Sequence, residues 1–132
     1  MSHTFPVRIF YEDTDMAGIV YYANYLRYIE RARSDIVEQM GLDQRTMRDE
    51  GIVFAITRVE ADYITPARFG DRLEVRTTHY AKGAVRWMFD QEVWREDTVL
   101  FRSKVTAVSM STEGKPVRLP ARVRSHLDVT GQ

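Results

Sequence analysis

One helix-period stretch stands near the front of this chain, and nearly everything after it alternates with period two. Tyr22, Tyr25, Leu26, Ile29, Ala32, Ile36 and Met40 recur at three- and four-residue spacing, with Arg27, Glu30, Arg31, Ser34, Asp35 and Glu38 opposite. That spacing predicts an amphipathic helix of about five turns. Gly41 stops it, because the left-handed position after a helix resists a Cβ. Asp43 caps a short second helix that closes at Gly51. Ahead of the long helix, residues 5–11 alternate Val7, Ile9 and Tyr11 against Pro6, Arg8 and Phe10, a first strand. Behind it, strands are expected over 52–64, 72–81, 85–95 and 98–110, separated by Thr65-Pro66-Ala67, Lys82-Gly83 and Glu96-Asp97. Pro120 opens a last short helix as its first residue.

Strand, long helix, four strands is an α+β order. A five-turn helix needs an apolar surface to lie on, and a curved five-stranded antiparallel sheet wrapped around it supplies one. The last three strands are joined by turns too short for crossovers, which sets aside a ferredoxin-like layout. Such a sheet leaves open edges and a polar outer face carrying Met88 and Trp94. Pairing edges across a two-fold axis covers them, so a homo-oligomer, at least a dimer, is expected. The 132 residues suit one domain over 1–132.

Composition removes several function classes. Lys plus Arg is 19 and Asp plus Glu is 19, so there is no basic excess to hold nucleic acid or an anionic membrane. With no cysteine, thiolate catalysis, disulfides and Cys-based metal sites drop out, and a reducing compartment is favoured. No apolar run approaches the roughly 20 residues of a transmembrane span, and Met1–Pro6 lacks the pattern of a secretory signal. A cytoplasmic protein is the expectation. G-x-G-x-x-G, Walker A, G-x-S-x-G and H-E-x-x-H motifs are all missing. His3, His79 and His126 have no metal-ligand spacing, so no metal is expected.

The run Tyr11-Glu12-Asp13-Thr14-Asp15-Met16-Ala17-Gly18 stands out, placing acids between a strand and a glycine turn that feeds the helix. On residue types alone it reads first as an ordinary turn, with Asp15 a carboxylate near a helix N-terminus.

Residues 8–33 resemble the signature of the 4-hydroxybenzoyl-CoA thioesterase family, in particular its small bacterial acyl-CoA thioesterases associated with the Tol–Pal system. The resemblance is carried by residues 11–15, Gly18-Ile19-Val20-Tyr21, Asn24-Tyr25 and Tyr28-x-Glu30-Arg31-Ala32-Arg33. Tyr63-x-x-Pro66-Ala67-Arg68-x-x-Asp71 extends it. It implies the hot-dog fold, dimers or dimers of dimers (a homotetramer), and hydrolysis of acyl-CoA thioesters without a metal or other cofactor. Coenzyme A enters as part of the substrate, with acyl carrier protein as an alternative carrier. The resemblance points to Asp15 as the catalytic carboxylate, Gly18 in the active-site turn, and the backbone N–H of Tyr22 as oxyanion donor. Many members of that branch carry His at the position of Tyr22; the backbone donor survives the change. Phosphates of CoA call for cations near strand ends, where Arg58, Arg68, Lys82 and Arg86 stand. Met16, Tyr22 and Phe54 are the expected lining of the acyl pocket. Two rivals are a non-catalytic acyl-CoA-binding module, which needs no Asp15, and a hydratase or dehydratase. The latter pairs an acid with a His near the helix, and no His lies between His3 and His79.

Overall fold

The long helix lies on the concave face of a curved sheet, as its spacing demands. The computed structural model describes residues 2–127 and the backbone of residues 129–130. In chain order they form β1 (Ser2–Arg8), a 3-10 turn (Tyr11–Asp13), α1 (Asn24–Gln39), α2 (Gln44–Asp49), β2 (Ile52–Tyr63) and β3 (Arg72–Lys82). β4 (Arg86–Arg95), β5 (Thr98–Ser111), α3 (Ala121–Arg124) and β6 (Val129–Thr130) complete them. The sheet runs β1-β3-β4-β5-β2, antiparallel throughout that path, and β6 adds a parallel pairing at Ala81 and Lys82. The α+β expectation holds.

Tyr25, Tyr28, Ile29, Ala32, Ile36 and Val37 of α1 are buried against Val75, Trp87, Phe89, Val93, Phe101, Val105 and Ala107. Each large side chain so buried contributes about 1.5–3 kcal/mol. A polar pin sits inside this layer. Fully buried Gln91 donates from Nε2 to the Ile29 carbonyl at 2.9 Å and to Thr77 Oγ1 at 3.1 Å. Its Oε1 accepts from Arg33 at 2.9 Å, so the helix is tied to one register on the sheet.

Two bulges break the alternation. The β2–β5 register passes from Ile56↔Ala107 to Arg58↔Thr106, leaving Thr57 unmatched. The β4–β5 register passes from Val93↔Phe101 to Trp94↔Val99, leaving Leu100 unmatched, so Leu100 and Phe101 are both buried. Beyond the first bulge the parity flips, and Arg58 lines the outer face while Phe54 and Ile56 line the groove beside α1.

The structure corrects four sequence expectations. α1 starts at Asn24 rather than Tyr22, and Tyr22 and Leu26 are 62% and 40% exposed instead of core. β1 ends at Arg8 because the Phe10 N–H turns to Asp13 Oδ2 at 2.8 Å. Met88 is buried rather than exposed, on the outer-face basin that Arg58, Arg86 and Lys104 also line. Pro120 precedes α3 with an extended ψ of 146° rather than opening it as a helical residue.

Candidate active site

The segment between β1 and α1 is a small hairpin held by its own acids. Asp13 Oδ2 accepts the Phe10 N–H at 2.8 Å. The Asp13 carbonyl accepts the Tyr21 N–H and the Asn24 Nδ2, both at 2.9 Å. Thr14 bridges to Val20, and Ile19 to Arg68 on the loop after β2. Asp13 is thus the structural acid. Its charge also reaches buried Tyr28, whose phenol is pushed well above its ordinary value by burial first and by Asp13 second.

Asp15 occupies the hairpin tip. Its N–H donates to the Ile19 carbonyl at 2.9 Å, its carbonyl accepts the Gly18 N–H at 3.0 Å, and its Oδ1 accepts the Ala17 N–H at 2.9 Å. The side chain is exposed, and none of the described residues bonds Oδ2. Gly18 sits at φ +77°, where a Cβ is disfavoured although no atom crowds it. Its N–H is taken by Asp15, so Gly18 shapes the turn and is not an available oxyanion donor.

The start of α1 is bare. No side chain caps it, in contrast to α2, where Asp43 accepts the Arg45 N–H at 2.9 Å. Asn24, Tyr25 and Leu26 donate to Tyr21, Tyr22 and Ala23 carbonyls. Among the described residues nothing accepts the N–H of Tyr22 or Ala23. Two unpaired donors at the positive end of a helix favour a negatively charged oxygen. Tyr63, at the end of β2, donates its hydroxyl to the Tyr22 carbonyl at 3.0 Å. Tyr63 stands in the sequence motif without an assigned role; its signal there is an aromatic at the last residue of a strand.

Two further features lie away from the hairpin. A groove of about 190 Å³ opens between α1 and the sheet, lined by Phe54, Ile56, Trp87, Phe89 and Ala107 with Arg33 on one wall. Phe54 is therefore in an apolar groove, but about 30 Å along β2 from Tyr63 at ~3.3 Å per residue. Met16 is fully exposed at the hairpin tip and does not join Phe54 within one chain. On the outer face, Arg58, Lys82 and Arg86 converge with Lys104 around one shallow basin of about 570 Å³. Arg58 is paired with Glu60 at 2.6 Å and Lys104 with Asp90 at 3.1 Å. Arg68 is not among them; it stands on the loop beside the hairpin.

The histidines keep away from the helix start. His3 Nε2 meets Asp35 at 2.7 Å, and buried His79 accepts the Trp87 indole N–H at 3.2 Å. His3 thus pairs with an acid of α1, but about three turns past the helix start rather than at the Asp15 hairpin.

The thioesterase-like superfamily model matches residues 11–127. The chain belongs to that superfamily. The Haemophilus influenzae acyl-CoA thioesterase YbgC is 36% identical over 126 residues, covering 92% of this chain and 91% of the relative. An Escherichia coli acyl-CoA thioester hydrolase YbgC is 32% identical over 120 residues, covering 89% and 90%. Among solved structures, a 1,4-dihydroxy-2-naphthoyl-CoA thioesterase from Synechocystis superposes with a TM-score of 0.89 at 24% identity, covering 95% and 94% of the two chains. A 4-hydroxybenzoyl-CoA thioesterase mutant complexed with 4-hydroxybenzoyl-CoA gives a TM-score of 0.83 at 25% identity, covering 91% and 94%. These superpositions establish the hot-dog fold for this superfamily member.

Proposed function

We propose that this chain is an acyl-CoA thioesterase, with Asp15 as its catalytic carboxylate and the start of α1 as its oxyanion site. The observation that carries the reading is the pairing of an unclamped carboxylate oxygen on Asp15 with bare N–H groups of Tyr22 and Ala23, set on one short hairpin-helix unit. Likeness to the YbgC thioesterases supports the reaction.

The chemistry balances without further groups. Asp15 either removes a proton from an attacking water, or attacks the thioester carbon to give a mixed anhydride that water then hydrolyses to the free acid and the restored carboxylate. Negative charge then develops on the carbonyl oxygen, where preorganised N–H donors act most strongly. CoA leaves as a thiolate; with a thiol pKa of about 8.5 it needs no strong general acid. No cofactor enters, and coenzyme A is part of the substrate. Arg58, Lys82, Arg86 and Lys104 form the phosphate-binding basin in this reading. The groove at Phe54 takes the acyl chain. A homo-oligomer and a cytoplasmic location belong to the same reading, the latter supported by the lack of cysteine.

Purified protein offered a panel of acyl-CoA thioesters should release free thiol, and Asp15→Asn should slow that release by about a hundredfold or more. A non-catalytic binding module would bind the panel without thiol release from either protein.

A further inference from the structure

The Tyr22 and Ala23 N–H groups belong to two successive peptides, and each peptide is anchored through its carbonyl. The Tyr21 carbonyl accepts the Asn24 N–H at 2.9 Å, which fixes the peptide carrying the Tyr22 N–H. The Tyr22 carbonyl belongs to the peptide carrying the Ala23 N–H, and its short bond is to the Tyr63 hydroxyl at 3.0 Å; the Tyr25 N–H reaches it only at 3.4 Å. A side chain 41 residues downstream therefore holds the second peptide. Tyr63 is itself aimed from the interior. Its ring meets Phe101 at 5.0 Å, Tyr25 at 5.4 Å and Tyr22 at 6.2 Å, all near edge-on. Tyr25 in turn accepts the Ala67 N–H at 3.0 Å, which ties the loop after β2 to the first turn of α1.

We infer that Tyr63 is a positioning residue for thioester hydrolysis: its hydroxyl, by holding the Tyr22 carbonyl, orients the Ala23 N–H as a second oxyanion donor beside that of Tyr22. The inference rests on the oxyanion reading given above. A hydrogen bond to a carbonyl polarises its peptide and strengthens the N–H on the other side. An oxyanion donor contributes to rate only if it is oriented before the charge develops. A bare helix start meets neither condition unaided, since first turns fray where no cap holds them. Tyr63 supplies both from outside the helix. Burial, with Tyr22 and Tyr25 alongside, raises its phenol above the ordinary value, so it stays a protonated donor through neutral pH.

Tyr63→Phe keeps the ring and removes only the donor. It should lower kcat about tenfold, less than the roughly 100- to 1000-fold loss of a whole donor, with KM and Tm unchanged. Replacing Tyr63 with a fluorinated, more acidic tyrosine supplies a second readout. Its phenol ionises at lower pH and then cannot donate, so kcat should gain a falling basic limb that the natural protein lacks in that range. A merely structural hydroxyl would move Tm and leave the pH profile alone. Full kcat in Tyr63→Phe overturns the inference, as does a fall in kcat matched by a fall in Tm with no new limb. Asp15→Asn run in parallel separates the two levels. If it is inactive while Tyr63→Phe is at full speed, only the role of Tyr63 fails; if Asp15→Asn and Tyr22→Pro are both fully active, the proposed site fails and the role of Tyr63 with it.

Discussion

Two aspartates two residues apart have different surroundings, and that difference predicts different responses to substitution. Asp13 is held by the Phe10 N–H and faces Tyr28, whereas Asp15 keeps an oxygen unclaimed by any described residue. Asp13→Asn should therefore cost stability, about 1 kcal/mol for a charge-assisted bond reduced to a neutral one, while retaining much of the turnover. It should also lower the Tyr28 pKa, because the charge that helps raise it is gone; burial keeps it above the usual range. Urea unfolding and ultraviolet titration of the phenols check both. Tyr22 makes the complementary case. Its side chain is largely exposed, its carbonyl is held by Tyr63 and its N–H is left open as a donor, so Tyr22→Phe and Tyr22→His should keep most activity. Tyr22→Pro deletes the donor and should lose roughly 3–4 kcal/mol of transition-state stabilisation, with circular dichroism confirming the helix. An equal loss in Tyr22→Phe would move the chemistry to the phenol.

At the scale of elements, turns and bulges decide which side chains share a face. Glu96, in the two-residue turn between β4 and β5, is the one non-glycine among the described residues at positive φ, +52°. Left-handed backbone disfavours a Cβ, so Glu96→Gly should raise stability by about 1 kcal/mol, read as a higher urea midpoint with an unchanged slope. Strict period two made β3, β4 and the wrap around α1 legible, because each inward side chain meets the same core. The bulge at Thr57 was not legible. Nothing in Ile56-Thr57-Arg58 departs from a β-branched strand, and the mismatch exists only against the register of β5. Yet it turns Arg58 outward to meet Lys82, Arg86 and Lys104. The Asp15 turn was legible through its spacing to Gly18. The role of Tyr63 was hidden because its partner is a backbone atom 41 residues away.

At the scale of the whole molecule, β2 poses the open question of the sheet. Among the described residues it pairs only with β5, and Ile56, Val59, Tyr63 and Ile64 stand 43–47% exposed along or just beyond it. A long apolar edge of this kind invites pairing with its own copy. Antiparallel pairing about a two-fold axis would bring the Tyr63 end of one strand against the Ile52 end of the other. The hairpin and helix start, which Tyr63 holds, would then meet the partner's groove at Phe54 and Ile56. Light scattering should accordingly give at least twice the 15.4 kDa of the chain. A sharper check mixes two inactive variants. Asp15→Asn lacks the carboxylate but keeps the groove; Ala107→Phe fills the groove but keeps the carboxylate. If the site spans two chains, random reassembly makes half the dimers hybrids, each with one intact site of two, and about a quarter of full activity returns. Should the site lie within one chain, no pairing of these subunits can restore it, and the mixture stays inactive.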